Sequence, residues 1–137
     1  MALEPDLAFA FCDLQAEIAA DLFRAGVALH AFNQRDIAGI LAMIRTVGAL
    51  VGAAEKAEAL AQRYEARLAE AESAARGRPR PKVYFEEWDD PLISGIGWVS
   101  ELIEIAGGED VFAALRAQKS AKDRIVAPEA VVARRPT

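Results

Sequence analysis

"LAFAFCDLQAEIAADLFRAGVALHAF", Leu7 to Phe32, decides the fold. Its first five residues, Leu7 to Phe11, are a short continuous apolar run of the kind needed by a strand covered on both faces. Asp13 can cap the helix after it. Leu14, Ile18, Leu22 and Ala25 then recur at helical spacing, and Gly26 stands where a left-handed residue would close the helix. Val27 to Phe32 repeats the strand character. Asp36 offers a second cap, and Ile37, Ile40, Leu41, Ile44, Val47 and Val51 trace the stripe of another helix. A strand that returns to its sheet through a helix makes a crossover, so this segment predicts an α/β fold with a parallel sheet.

Beyond it the chain changes character. Ala53 to Arg76 holds neither Gly nor Pro, is rich in Ala, Glu, Arg and Leu, and predicts one helix about 36 Å long. Ala57, Leu60, Tyr64, Leu68, Ala71 and Ala75 line one side, and Glu58, Arg63, Glu65, Arg67, Glu70 and Glu72 the other. A coiled coil is the competing reading, but a seam made mostly of Ala supports it poorly. "RGRPRPK" (Arg76 to Lys82) breaks the helix and marks a boundary, its basic residues reading as a solvated loop.

The alternation then restarts. "KVYFE" (Lys82 to Glu86) predicts a strand and "EWDDPLISG" a loop; Val99, Leu102, Ile103 and Ala106 form a helix stripe closed by Gly107 and Gly108. Val111 and Phe112, a polar loop, a brief "RIV" and a helix opened by Pro128 complete the chain. The order read from the residues is therefore α/β with a parallel sheet (residues 1–52), a long helix (53–77), and α/β again (78–137).

Composition narrows the function. With 137 residues, 53% of them apolar, the chain can bury a core. Sixteen Lys and Arg against 21 Asp and Glu leave a net charge of −5, which repels a phosphate backbone and argues against nucleic acid as a partner. No run approaches the ~18 apolar residues of a membrane span, and "MALEPDLAF" lacks the basic flank and apolar core of an export signal.

The inventory of chemistry is thin. One His and one Cys cannot assemble a standard zinc site, and "SGIGWV" lacks the Lys and Ser or Thr of a phosphate-cradling loop. His30 lies in a predicted strand, and Cys12 has no evident partner base. Glu86, Glu87, Asp89 and Asp90 could pair as acid and base or hold a hard cation, although adjacent carboxylates at a strand end are usually solvated. No constellation here supports an enzyme, no metal site is expected and no cofactor is implied. The two tryptophans are harder to set aside. Trp88 falls just after a predicted strand's carboxyl end, where open α/β sheets place ligand sites, and Trp98 enters the next helix from the same loop. A flat apolar ring suits a large, partly apolar ligand; one or both rings capping the core is the alternative.

At this point the residues carry a resemblance. "YFEEWDDPLISGIGWVSELIEIAGGEDVF" (Tyr84 to Phe112) resembles the opening of the second lobe in the periplasmic-type substrate-binding proteins that serve ABC importers of cobalamin and iron-siderophores. "EPDLAFAFCDLQAEIAADLFRAGVALHAFN" (Glu4 to Asn33) resembles part of their first lobe, and Ala53 to Arg76 the rigid helix between lobes. The resemblance implies binding of cobalamin or a ferric siderophore without chemistry, and delivery to an ABC permease. Trp88, Phe11, Asp89 and Trp98 become the candidate ligand-binding residues. Two exposed glutamates that relatives use for permease docking correspond to Glu17 and to Glu129 in "APEAVVARRP". It also implies an extracytoplasmic location and a chain that looks like the central portion of a longer protein, two incomplete α/β lobes joined by a long rigid helix. Relatives often carry a basic residue where Gly97 stands. The reading from a different class is an interaction protein that buries unfinished sheet edges in a homodimer.

Overall fold

The computed structural model describes residues 3–11 and 15–137. The readings that fell on Cys12, on Asp13 as a cap and on Leu14 as the helix start lie outside the described residues. The chain divides into two compact units, Met1–Gln34 and Arg35–Thr137.

The first unit is a β-α-β crossover. β1 (Leu7–Ala10) and β2 (Ala28–Ala31) pair in parallel, Leu7 opposite Ala28 through Ala10 opposite Ala31, with α1 (Ala16–Arg24) between them in the chain. Gly26 closes α1 as expected. At φ +79° it sits in the left-handed region, its N–H donates to the Phe23 carbonyl and that of Val27 to the Leu22 carbonyl, which satisfies two orphan acceptors. Among the described residues Ala10 and Phe32 are its buried apolar ones, and the Phe32 ring stands 4.4 Å from the His30 ring and 5.9 Å from that of Phe9. His30 is thus a packing residue of the sheet.

The second unit begins with a helical hairpin, α2 (Ile37–Leu50) folded back on α3 (Ala54–Ala75). Asp36 caps α2, its carboxylate accepting from the Gly39 N–H at 2.6 Å. The long segment is one uninterrupted helix of 22 residues. Its buried side differs from the predicted stripe: Ala57 and Ala61 are buried, whereas Tyr64 and Ala71 are exposed. The cause is the crossing with α2 at Gly48, which brings the backbones so close that only alanines fit at the seam. Arg45 of α2 fastens the pair from the flank, donating to Glu58 at 2.7 Å and to Glu65 at 2.9 Å. Glu58, expected on the solvated face, is therefore half-buried.

After the Gly77 break comes β3 (Lys82–Val83), which pairs in parallel with β6 (Glu109–Asp110). "EWDDPLISG" is not a loop. β4 (Glu86–Asp89) and β5 (Leu92–Ser94) form an antiparallel hairpin around Asp90-Pro91, Asp89 opposite Leu92. A two-residue connection between short paired strands favours this arrangement, and the predicted strand Lys82–Glu86 is split, with Tyr84 and Phe85 between β3 and β4. α4 (Gly97–Ile105) comes next and ends as expected at Gly107, φ +85°. Short 3-10 turns at Ala113–Leu115 and Ala121–Arg124 lead to α5 (Pro128–Arg134), with Pro128 in its first turn. Val99, Phe112 and Val126 join Ala57 and Ala61 in the core of this unit. Among the described residues no helix is long and apolar enough to cross a membrane.

Candidate functional site

The β4–β5 hairpin holds Trp88 and Asp89. Trp88 lies within β4 rather than after a strand end, and it is 60% exposed. Its indole N–H donates to the Asp90 carbonyl at 3.0 Å, which pins the ring along the hairpin and satisfies its one polar group. What remains free is apolar ring surface. Asp89 is exposed beside it.

The four carboxylates of this stretch do not act as one cluster. Glu87 turns to Arg124, which donates to its two carboxylate oxygens at 2.6 and 3.1 Å. Glu86, Asp89 and Asp90 are exposed. No group of His, Cys, Asp and Glu among the described residues is arranged to hold a metal ion.

Arg124 is the residue that sequence reasoning missed. It is only 2% exposed, and besides Glu87 it donates to the Ser94 carbonyl, while the Ser94 hydroxyl donates back to the Arg124 carbonyl at 3.1 Å. Ile125 bridges to Ile93, and the Val126 N–H donates to the Leu92 carbonyl at 2.9 Å, so residues 124–126 lie along β5 like a third strand. The only sequence signal was the brief "RIV" run.

Trp98 sits elsewhere. It is half-buried at the start of α4 and, with Ile40, Leu41, Tyr64, Leu68 and Leu102, lines an open apolar groove of about 310 Å³. Trp88 is not part of that lining. Gly97, just before it, is buried: a Cβ there would fall 2.3 Å from the Arg35 carbonyl oxygen, so the position has no room for a side chain. Glu101 on the next turn of α4 accepts from the Ile37 N–H at 2.8 Å, holding the start of α2.

Phe11 and Glu17 belong to the Met1–Gln34 unit. Phe11 follows β1, is 69% exposed, and its N–H donates to the Gln15 side chain at 2.9 Å. Glu17 is exposed in the first turn of α1, and Glu129 is exposed in the first turn of α5. Both positions also suit an acidic residue facing a helix dipole.

Tyr84, between β3 and β4, places its ring 5.6 Å from Phe112. Burial, with a contribution from the charge of Glu86, raises its phenol above the ordinary value of 10.0.

The comparisons with known proteins agree with this architecture. The sequence matches the family described as periplasmic binding protein over residues 1–137. No curated protein matches it. Among solved structures, the periplasmic heme-binding protein RhuT from Roseiflexus sp. RS-1 is similar at 25% identity with a TM-score of 0.78. An ABC transporter substrate-binding protein from Listeria monocytogenes EGD-e gives 20% and 0.75, and the periplasmic vitamin B12 binding protein BtuF of Vibrio cholerae 20% and 0.71. In each, 98% of this chain is covered against 52% of the solved chain, so it spans about half the length of the structures it matches. These neighbours are binding proteins, not enzymes, and the chain belongs to the periplasmic binding protein family.

Proposed function

We propose that the protein is the substrate-binding component of an ABC importer for a large, ring-shaped or metal-chelate ligand, which it binds and delivers without chemical change. Residues 1–52 then belong to its first lobe, 53–77 to the connecting helix and 78–137 to its second lobe. The observation that carries the reading is Trp88, an aromatic ring exposed on a hairpin whose own polar group is already satisfied. Such a ring gains by covering the flat apolar face of a ligand.

The solved neighbours RhuT and BtuF bind heme and vitamin B12, and the hairpin's charge favours one of these chemistries. From Glu86 to Ser94 it carries Glu86, Asp89 and Asp90 exposed and no basic residue. That surface repels the carboxylates of a heme and of anionic ferric chelates. A corrinoid such as cobalamin, or an uncharged or cationic ferric siderophore, meets no such penalty. Asp89 is the proposed polar contact beside Trp88, and Phe11 a further apolar one; Trp98 contributes chiefly by packing α4. Glu17 and Glu129 are the proposed permease contacts, acting on encounter rate and register. The family's location is extracytoplasmic.

Cyanocobalamin, ferrioxamine B and hemin titrated against intrinsic fluorescence test this reading. Quenching by one of the first two, with affinity about 10-fold weaker in Trp88→Ala, is expected from burying one aromatic face. Unchanged affinity in that variant would remove Trp88 from the site.

A second reading rests on a separate observation. Phe9, Phe11, Ile18 and Phe23 are all exposed in the first unit, and among the described residues its sheet has two strands. A second copy of the chain covering these surfaces would give a homodimer. Light scattering at several concentrations checks it, and a monomer at high micromolar concentration would exclude it.

A further inference from the structure

Three observations meet at the base of the Trp88 hairpin. First, the ladder between β4 and β5 slips between Glu86 and Trp88: Glu86 faces Ser94 and Trp88 faces Ile93, so Glu87 is the extra, bulged residue. A bulge re-aims the side chains that come after it. Second, the bulged Glu87 is held in both its oxygens by Arg124, which reaches it from the far side of β5 and donates to the Ser94 carbonyl on the way. Third, this guanidinium is a costly way to fill a core. It is 2% exposed, and its Nε has no partner among the described residues. Glu87 stays 37% exposed, so the desolvation cost falls on Arg124 alone; a charge buried against a carboxylate commonly contributes no more stability than apolar residues of the same size, and its attested use is to select one arrangement among several.

We propose that Arg124 is a positioning residue for ligand binding: by clamping the Glu87 bulge it sets the register of β4 and hence the direction in which the Trp88 ring is presented. The proposal rests on the reading of Trp88 as a ligand contact. Slippage by one residue would turn Trp88 to the opposite face of the hairpin, because strand side chains alternate. The turn at Asp90-Pro91 constrains the register from one end only. The clamp constrains it from the other, at a residue adjacent to the ring.

The test uses protein labelled with 5-fluorotryptophan, whose two fluorine resonances are assigned by Trp88→Phe. Trp98, in the packing of α4, serves as the internal reference for the fold. In Arg124→Met, and in Glu87→Gln, which keeps the volume and removes the charge, the Trp88 resonance is expected to shift or broaden while that of Trp98 stays in place. Arg124→Lys, which keeps the charge without the two-pronged geometry, should fall between. Movement of both resonances in all three variants would show a general structural role and overturn the proposal, as would an unmoved Trp88 signal. Binding of cyanocobalamin supplies the second readout. Arg124→Met is expected to weaken it about 10-fold in the parent and less than about 2-fold in the Trp88→Ala background, the non-additivity of residues acting through one another. Equal losses in both backgrounds overturn the coupling. Unchanged affinity in Trp88→Ala itself overturns the ligand reading and leaves the fluorine result standing on its own.

Discussion

Replacing Gly48 by Ala adds one methyl group where α2 crosses α3. Its Cβ would lie 2.1 Å from the Ala57 Cβ and 3.1 Å from the Ala53 carbonyl oxygen, against 3.4 Å or more for an ordinary contact. The shortfall at Ala57 is about 1.3 Å. Neither atom can turn aside, since both Cβ positions are fixed by helical backbone. The helices must separate, which also loosens the fully buried Ala61 one turn on and the nearby grip of Arg45 on Glu58. On propensity alone the change should help, because Ala is favoured over Gly in a helix interior by about 1 kcal/mol. Overpacking of a closed interior costs about 1–3 kcal/mol, and a clash with no rotamer escape belongs at or above the upper end. The net expectation is a loss of about 2 kcal/mol, or a fall in Tm of roughly 6–10 °C for a chain of this size. Urea unfolding followed by far-ultraviolet circular dichroism measures it. Moving the methyl instead, in Gly48→Ala with Ala57→Gly, should regain at least half of the loss. A Gly48→Ala protein as stable as the parent would refute the close crossing.

Charge and burial give two further expected outcomes. The hydrogen bonds from Arg45, first among the causes, hold the Glu58 carboxyl below its ordinary value of 4.5, so its contribution is present above that pH and lost as the pH falls through the lowered native value. The urea midpoint should drop below about pH 4.5 more steeply in the parent than in Glu58→Gln, and parallel curves would count against the clamp. Tyr84→Phe should be as stable as the parent or more so, since the buried hydroxyl has no partner among the described residues; it should also abolish a tyrosine transition raised above 10.0, whose contribution to stability is present below that pH and lost as the pH rises through the raised native value. A loss above about 1 kcal/mol would mean that the hydroxyl is paired.

Local signals carried most of the architecture. Gly26, Asp36, Gly107 and Pro128 each do in the structure what their residue type predicts at a helix end, because capping depends on a few consecutive residues and little else. The apolar run at Leu7 and the one at Val27 pair in parallel because the helix between them leaves no shorter route back. Where spacing failed was at the α3 seam, and there the deciding fact lies outside the helix. Ala61 is buried because a glycine thirteen positions earlier lets α2 approach, which no periodicity within α3 can express.

The candidate site was legible in its exposed half and illegible in its support. Trp88 drew attention by type alone, since a large ring among carboxylates is a poor choice for a solvated turn. The hairpin beneath it has the sequence of a loop because β4 carries no apolar alternation: Glu86, Glu87, Trp88 and Asp89 are all exposed, and strand patterns are visible only when one face is buried. What makes it a hairpin is its pairing with β5, and what fixes the register is Arg124, separated from Glu87 by 37 positions. A charged residue in a polar stretch normally predicts a solvated surface, and its burial becomes intelligible only once β5 has brought Ser94 and Glu87 within reach of it. The same distance along the chain that hides the clamp from sequence makes it informative in the structure. A long-range ion pair at a bulge is retained against its desolvation cost when the alternative registers differ in what they present, and here they differ in the direction of Trp88.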